Sequence, residues 1–92
     1  MPTEAPTVVR VPSPLRSYTA GAAQVRAHGT TIAALLADLE RRHAGMRFRI
    51  IDEQDRIRPH IRIFINHAEV TTLQQPLAAG DEVHLICALS GG

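Results

Sequence analysis

Ile32, Leu35, Leu36 and Leu39 recur at i, i+3, i+4 and i+7, the spacing that lines up one face of an α-helix. Asp38, Glu40, Arg41 and Arg42 lie off that stripe. Thr30 stands where an N-cap hydroxyl is expected. Arg41, Arg42 and His43 crowd the last turn, where the helix dipole favours cations. Gly45 falls where a left-handed residue would close the element. The pattern therefore predicts a helix over residues 32–42. Elsewhere the period is two. Residues 7–10 read as a strand, with Val9 and Val11 turned inward. Pro12 and Pro14 cannot donate to a ladder, so this strand either ends there or runs on as an edge, and Leu15 resumes the inward phase. Residues 22–28 set Ala23, Val25 and Ala27 against Gln24, Arg26 and His28, a second strand antiparallel to the first across a turn at residues 19–21.

Further along, residues 61–66 alternate cleanly, with Ile61, Ile63 and Ile65 facing one way and Arg62 and Phe64 the other. A turn at Asn66-His67 leads to a short return strand over residues 69–72. Residues 73–77 read as a loop with room for one helical turn, and Ala79-Gly80-Asp81 as a turn. The last strand covers residues 82–89, with Val83, Leu85 and Cys87 in one phase and His84, Ile86 and Ala88 in the other. Between the helix and the third strand, Met46, Phe48, Ile50 and Ile51 are expected to pack beneath the helix, and residues 52–55 form a polar loop. The order is strand, strand, helix, strand, short strand, strand. This is an α+β domain with one main helix on one face of a mixed sheet of about five strands, since a crossover through a helix suits a parallel connection. The expected organisation is a flexible N-terminal tail over residues 1–6, one domain over 7–89, and a flexible Gly-Gly tail over 90–92.

Composition narrows the chemistry. At 92 residues and 45% apolar, the chain is one globular domain, too small to wall in a deep catalytic cleft. The formal charge of +1 selects no bulk electrostatic partner, nucleic acid included. Cys87 is the only cysteine, so no internal disulfide framework or cysteine-rich metal site is possible. No stretch reads as a signal peptide or a membrane span, and a cytoplasmic protein is expected. All ten basic residues are arginine, which leaves no side-chain amine for an isopeptide bond or a Schiff base.

Weighed one by one, the internal clusters favour structural roles. Gly29-Thr30-Thr31 ahead of the helix reads as a loop and cap more than as an anion site. The five histidines show no metal spacing on a common helix face, and no metal is expected. Cys87, in phase with Val83 and Leu85, reads as a small hydrophobe. Asp52, Glu53 and Asp55 lack the ligand order of a calcium loop. The tail stands apart. Gly91 and Gly92 are slim and conformationally free, suited to entering a narrow channel, and a terminal carboxylate there is a group that another enzyme must activate. Phe64 and Ile86 are large apolar residues in the outward phase of neighbouring strands, a candidate partner surface near that tail.

Taken together, Arg10-Val11-Pro12-Ser13-Pro14-Leu15-Arg16, the helix over 32–42, Ile61-Arg62-Ile63-Phe64-Ile65-Asn66 with its turn, and Ala79-Gly80-Asp81-Glu82-Val83 leading to Ser90-Gly91-Gly92 resemble the ubiquitin-like sulfur carriers related to MoaD, ThiS and CysO. The resemblance runs from about Val8 to Gly92, and the length and the Arg-Val-Pro opening look most similar to the CysO-like branch. It implies a β-grasp fold and a carrier that is not itself an enzyme. The Gly92 carboxylate would be adenylated by a ubiquitin-activator-like adenylyltransferase that binds and spends the ATP, so no cofactor is expected on this chain. A sulfur donor of rhodanese or cysteine desulfurase type would convert it to a thiocarboxylate. That group would deliver sulfide to a biosynthetic enzyme, in cysteine or thio-metabolite synthesis. Gly91 would give slim access, Leu89 and Ser90 would position the tail, and Phe64 and Ile86 would dock the partner. Many such relatives carry proline at the position of Cys87, so the thiol here replaces a stiff residue near the tail. The small subunit of a molybdopterin synthase, a protein modifier joined through Gly92, and a binding subunit whose tail is never modified are the alternatives.

Overall fold

A computed structural model describes residues 6–88; the expected tails at residues 1–5 and 89–92, with the end of the last strand, lie outside the described residues. The elements are β1 (Thr7–Arg10), a 3-10 helix (Ser13–Thr19), β2 (Gln24–Ala27), α1 (Ile32–Arg42), α2 (Met46–Ile50), β3 (Ile61–Ile65), β4 (Ala68–Val70) and β5 (Glu82–Cys87). The sheet runs β2-β1-β5-β3-β4. β1 is antiparallel to β2 and parallel to β5, while β3 is antiparallel to both β5 and β4. The α1 crossover therefore joins β2 and β3, which point the same way with β1 and β5 between them.

The prolines end β1 and do not make it an edge, since it is hydrogen-bonded on both sides. Beyond them the chain turns helical. Pro14 presets φ at the first turn of the 3-10 segment, which turns Leu15 and Thr19 inward and closes at Ala20 with φ 54°. One face of the sheet supplies Val9, Ile61, Ile63, Ile65, Val83 and Leu85, and α1 lays Ile32, Leu35, Leu36 and Leu39 over it. Fully burying an aliphatic side chain of this size contributes roughly 1.5–3 kcal/mol.

Four local expectations change. The N-cap of α1 is Thr31, not Thr30: its hydroxyl accepts from Ala34 N–H at 3.1 Å. The expected loop over residues 73–77 holds no helical turn and instead straps that helix start, its Leu73 and Gln75 carbonyls accepting from Ala33 and Ile32 N–H at 2.9 and 3.0 Å. Residues 46–50 form α2, which buries Met46 and Ile50 one turn apart and leaves Phe48 54% exposed. Gly45 is left-handed as expected, with φ 95°, though it opens α2 where it was expected to close α1. Among the described residues no helix is long and apolar enough to cross a membrane.

Candidate functional site

β5 carries the chain toward its terminal glycines, and its surroundings fix how it arrives there. Alternation sends Val83 and Leu85 into the core and His84 and Ile86 to the opposite face. β1 holds the strand on one side and β3 on the other. The last described rung is Ala88 N–H donating to the His60 carbonyl at 2.8 Å. The backbone is thus locked up to Ala88. Leu89, Ser90, Gly91 and Gly92 come next in the chain, outside the described residues.

Along β5 the outer face of the sheet is apolar at its centre and ionic toward the start of the strand and its β4 side. Ile86 is 44% exposed. Phe64 is only half-buried and does not stand opposite it, because the register pairs Ile86 with Arg62 and Phe64 with His84. The expected pair of exposed hydrophobes is therefore one exposed isoleucine with a partly covered phenylalanine diagonal to it. Arg62 bridges to Glu69 at 3.4 Å. Glu82 receives Arg10 at 3.3 Å and lies 2.9 Å from His84 Nε2. The Arg10 hydrogen bond holds the Glu82 carboxyl below its usual range, against the opposing effect of partial desolvation. Beside Ile86 a groove of about 460 Å³ runs between β5 and the start of the 3-10 helix, lined among others by Arg10, Pro12, Arg16, His84 and Cys87.

The other candidates resolve into structure. Cys87 packs half-buried against the margin of the core. Burial pushes its thiol up, and the nearby Arg49 charge offsets this only in part, so at neutral pH it is protonated and a poor nucleophile. The N-terminus of α1 is filled by Thr31 and the 73–77 strap. Gly29 serves close packing there: a Cβ built on it would lie 2.3 Å from the Leu35 nitrogen. Among the described residues no three His, Cys, Asp or Glu side chains cluster as metal ligands. Asp52 accepts from Arg56 and Gln54 N–H, which closes the acidic loop on itself. Among the described residues, the one histidine within ion-pair distance of an acid is His84, beside Glu82.

Two residues escaped sequence reasoning. Asp38, off the apolar stripe, is only 6% exposed. It accepts from His28 N–H at 2.8 Å, Arg42 Nε at 2.7 Å and Arg41 Nη2 at 2.6 Å, tying α1 to the end of β2. Phe48 stands beside the exit region under the Arg58 guanidinium, 4.5 Å from its ring centre. Reading Met46 and Ile50 at i, i+4 would have turned Phe48 outward.

Comparison with known proteins agrees with this geometry. The family model of the ThiS family matches residues 9–92. The sulfur carrier protein CysO of Mycobacterium tuberculosis (strain ATCC 25618 / H37Rv) is 33% identical, over 91% of this chain and 96% of its own. The crystal structure of the Amycolatopsis orientalis BexX/CysO complex contains a chain that superposes with a TM-score of 0.87 at 30% identity, covering 94% of this chain and 99% of that one. SAMP1 from Haloferax volcanii superposes at 0.80 with 25% identity, covering 96% of this chain and 100% of that one. With its mixed five-stranded β-grasp sheet and the helix packed on it, the chain belongs to the ThiS family, as a ubiquitin-like sulfur carrier of the CysO type.

Proposed function

We propose that the chain carries sulfur as a thiocarboxylate on Gly92. The Gly92 carboxylate attacks the α-phosphate of ATP inside a ubiquitin-activator-like adenylyltransferase, and pyrophosphate leaves. A sulfur nucleophile then attacks the acyl carbon and AMP leaves. Hydrosulfide gives the thiocarboxylate directly. The terminal sulfur of a rhodanese or cysteine desulfurase persulfide gives an acyl disulfide that a second thiol reduces. The thiocarboxylate sulfur attacks the electrophilic substrate of an enzyme of cysteine or thio-metabolite synthesis, and water then cleaves the acyl–sulfur bond and restores the Gly92 carboxylate. Gly91 keeps the tail slim in the partner's channel, Leu89 and Ser90 position it, and Ile86 with the edge of Phe64 meets the partner's surface. The ATP requirement puts this work in the cytoplasm.

The observation that carries the reading is β5 itself: a strand held by β1 through His84 and by β3 through Cys87, with a last bond at Ala88, that leads into the Gly91-Gly92 sequence. The similarity to CysO carriers supports the sulfur chemistry, and the complex of one such carrier with BexX supports a docked protein partner. The test incubates the pure chain with ATP, an activating enzyme and sulfide and weighs it intact. A mass gain of one oxygen exchanged for sulfur, absent when Gly92 is deleted, is expected; no gain in the full chain overturns the proposal. The likeness to a small archaeal modifier protein supports a second reading, conjugation through Gly92. It requires higher-mass adducts in extracts that vanish in the same deletion.

A further inference from the structure

We propose that the end of the sheet from which β5 leaves is a basic collar that docks on carboxylates around the mouth of the activating enzyme's channel. The inference rests on the reading that the tail is worked on inside such an enzyme.

The ten arginines divide by what they touch. Arg10, Arg41, Arg42, Arg47, Arg56 and Arg62 each reach a carboxylate within 4.0 Å. Arg16, Arg26, Arg49 and Arg58 reach none among the described residues. Three of these four belong to the elements around the exit, and each is held there by a neutral group. Arg16 Nε donates to the Val11 carbonyl at 3.0 Å. The Arg49 guanidinium lies 5.8 Å from the Tyr18 ring centre. Arg58 Nε donates to the Phe48 carbonyl at 2.7 Å while its guanidinium covers the Phe48 ring.

The hydrogen bonds fix their position. Arg16 lines the groove that also contains Ile86 and Cys87. The Arg49 charge is felt by the Cys87 thiol. Arg58 N–H donates to the Ile50 carbonyl, Ile61 N–H to the Arg58 carbonyl, and Ala88 N–H to the neighbouring His60 carbonyl. The last rung of β5 is thus stitched to the segment that bears Arg58, His60 and, through α2, Arg49 and Phe48.

Side-chain carboxylates are missing from this end. The 3-10 helix and α2 contain none, and residues 56–68 and 83–92 contain none. Asp52 is the acid that feels the Arg58 charge, and Arg56 and two backbone N–H groups already occupy it. Gathering cations without counter-ions opposes folding unless a partner supplies the counter-charge. Guanidinium forks pinned by neutral contacts are ordered in advance, so less entropy is lost when they engage carboxylates. Exposed Phe48 adds an apolar plate beside them. A partner that fits this ring has several carboxylates around an aperture slim enough for two glycines.

The test uses the full chain, the ubiquitin-activator-like adenylyltransferase from the same genome, and ATP, and follows pyrophosphate exchange against carrier concentration and salt. Arg49→Glu combined with Arg58→Glu is expected to raise KM by about tenfold at low salt with kcat unchanged, and to flatten the rise of KM with salt seen in the wild type. Arg49→Lys is expected to keep most of the affinity, and Arg26→Glu, the same charge change on β2, to leave KM where it was. If the double variant melts early because Arg58 no longer bonds the Phe48 carbonyl, Arg49→Glu alone carries the test with a rise of about threefold. Unchanged KM and salt slope in variants that fold, alongside normal exchange by the wild type, overturns the collar and leaves the carrier reading standing. No exchange by the wild type overturns both. Salt-sensitive binding of the wild type to a single-stranded RNA oligonucleotide, lost in the variant while KM stays fixed, assigns the arginines to nucleic acid and overturns the collar.

Discussion

Asp38 shows how one side chain joins two elements. Its carboxylate accepts from the His28 N–H at the end of β2 and from two arginines of α1. These bonds, the His28 one first and Arg42 next, outweigh desolvation and hold the carboxyl far below the usual carboxylate range. A carboxyl depressed in the folded state stabilises it above the unfolded pKa of about 4, and that contribution is lost as pH falls through this value toward the folded one. Asp38→Asn is therefore expected to cost about 2 kcal/mol at pH 7. In melting curves taken from pH 7 down to pH 2, the gap between variant and wild type should narrow toward the acid end. Gly29 makes a different demand, for space. A methyl placed there meets the backbone of Leu35 and Ala34 at 2.3–2.7 Å, which no rotamer relieves. Gly29→Ala should cost about 2–3 kcal/mol by thermal or urea melting. Gly80→Ala, with open space around its Cβ, would show only the smaller strain of its positive φ.

At the scale of elements, the start of α1 is capped from within and strapped from outside. Thr31→Ala should lose about 1 kcal/mol, while Thr30→Ala should be nearly silent because Thr30 contributes its carbonyl, not its hydroxyl, to Leu77 N–H. A pair of urea melts distinguishes the two caps. The one-residue difference explains what the sequence could and could not show. Two adjacent threonines are equivalent as letters, and only the strap through Leu73 and Gln75 decides which is extended and which hydroxyl faces the helix. The long helix was legible because its period persists over eleven residues, and β3 because three isoleucines alternate strictly with Arg62 and Phe64. α2 was not: over five residues, Met46, Phe48 and Ile50 also fit a period of two. The 3-10 helix hid behind its prolines, which signal the end of a strand as well as the start of a helix. Asp38 was hidden because its partners are a backbone amide ten residues away and two neighbours that also read as a solvated helix end. At the candidate site, Ile86 and the path of β5 were readable from alternation. The half-covered state of Phe64 depended on register, and the role of Phe48 depended on α2.

For the molecule as a whole, the placement of β1 and β5 matters most. They are the first and last strands, yet they lie side by side in the middle of the sheet and point the same way. Tension applied through residue 88 against residue 7 draws the two strands past each other along their length. The evenly spaced bonds of a parallel pair are then loaded together, and the domain gives way only when they fail at once. β1 and β2 present the opposite case, since Thr7 faces Ala27 at the open end of their pairing and pulling those two apart opens the bonds in sequence. Single-molecule stretching between residues 7 and 88 should therefore need several times the force of stretching between residues 7 and 27. A partner that draws the end of this chain into a channel while the domain is held through β1 loads the two strands in shear, and the handle can be worked hard without unravelling what it is attached to.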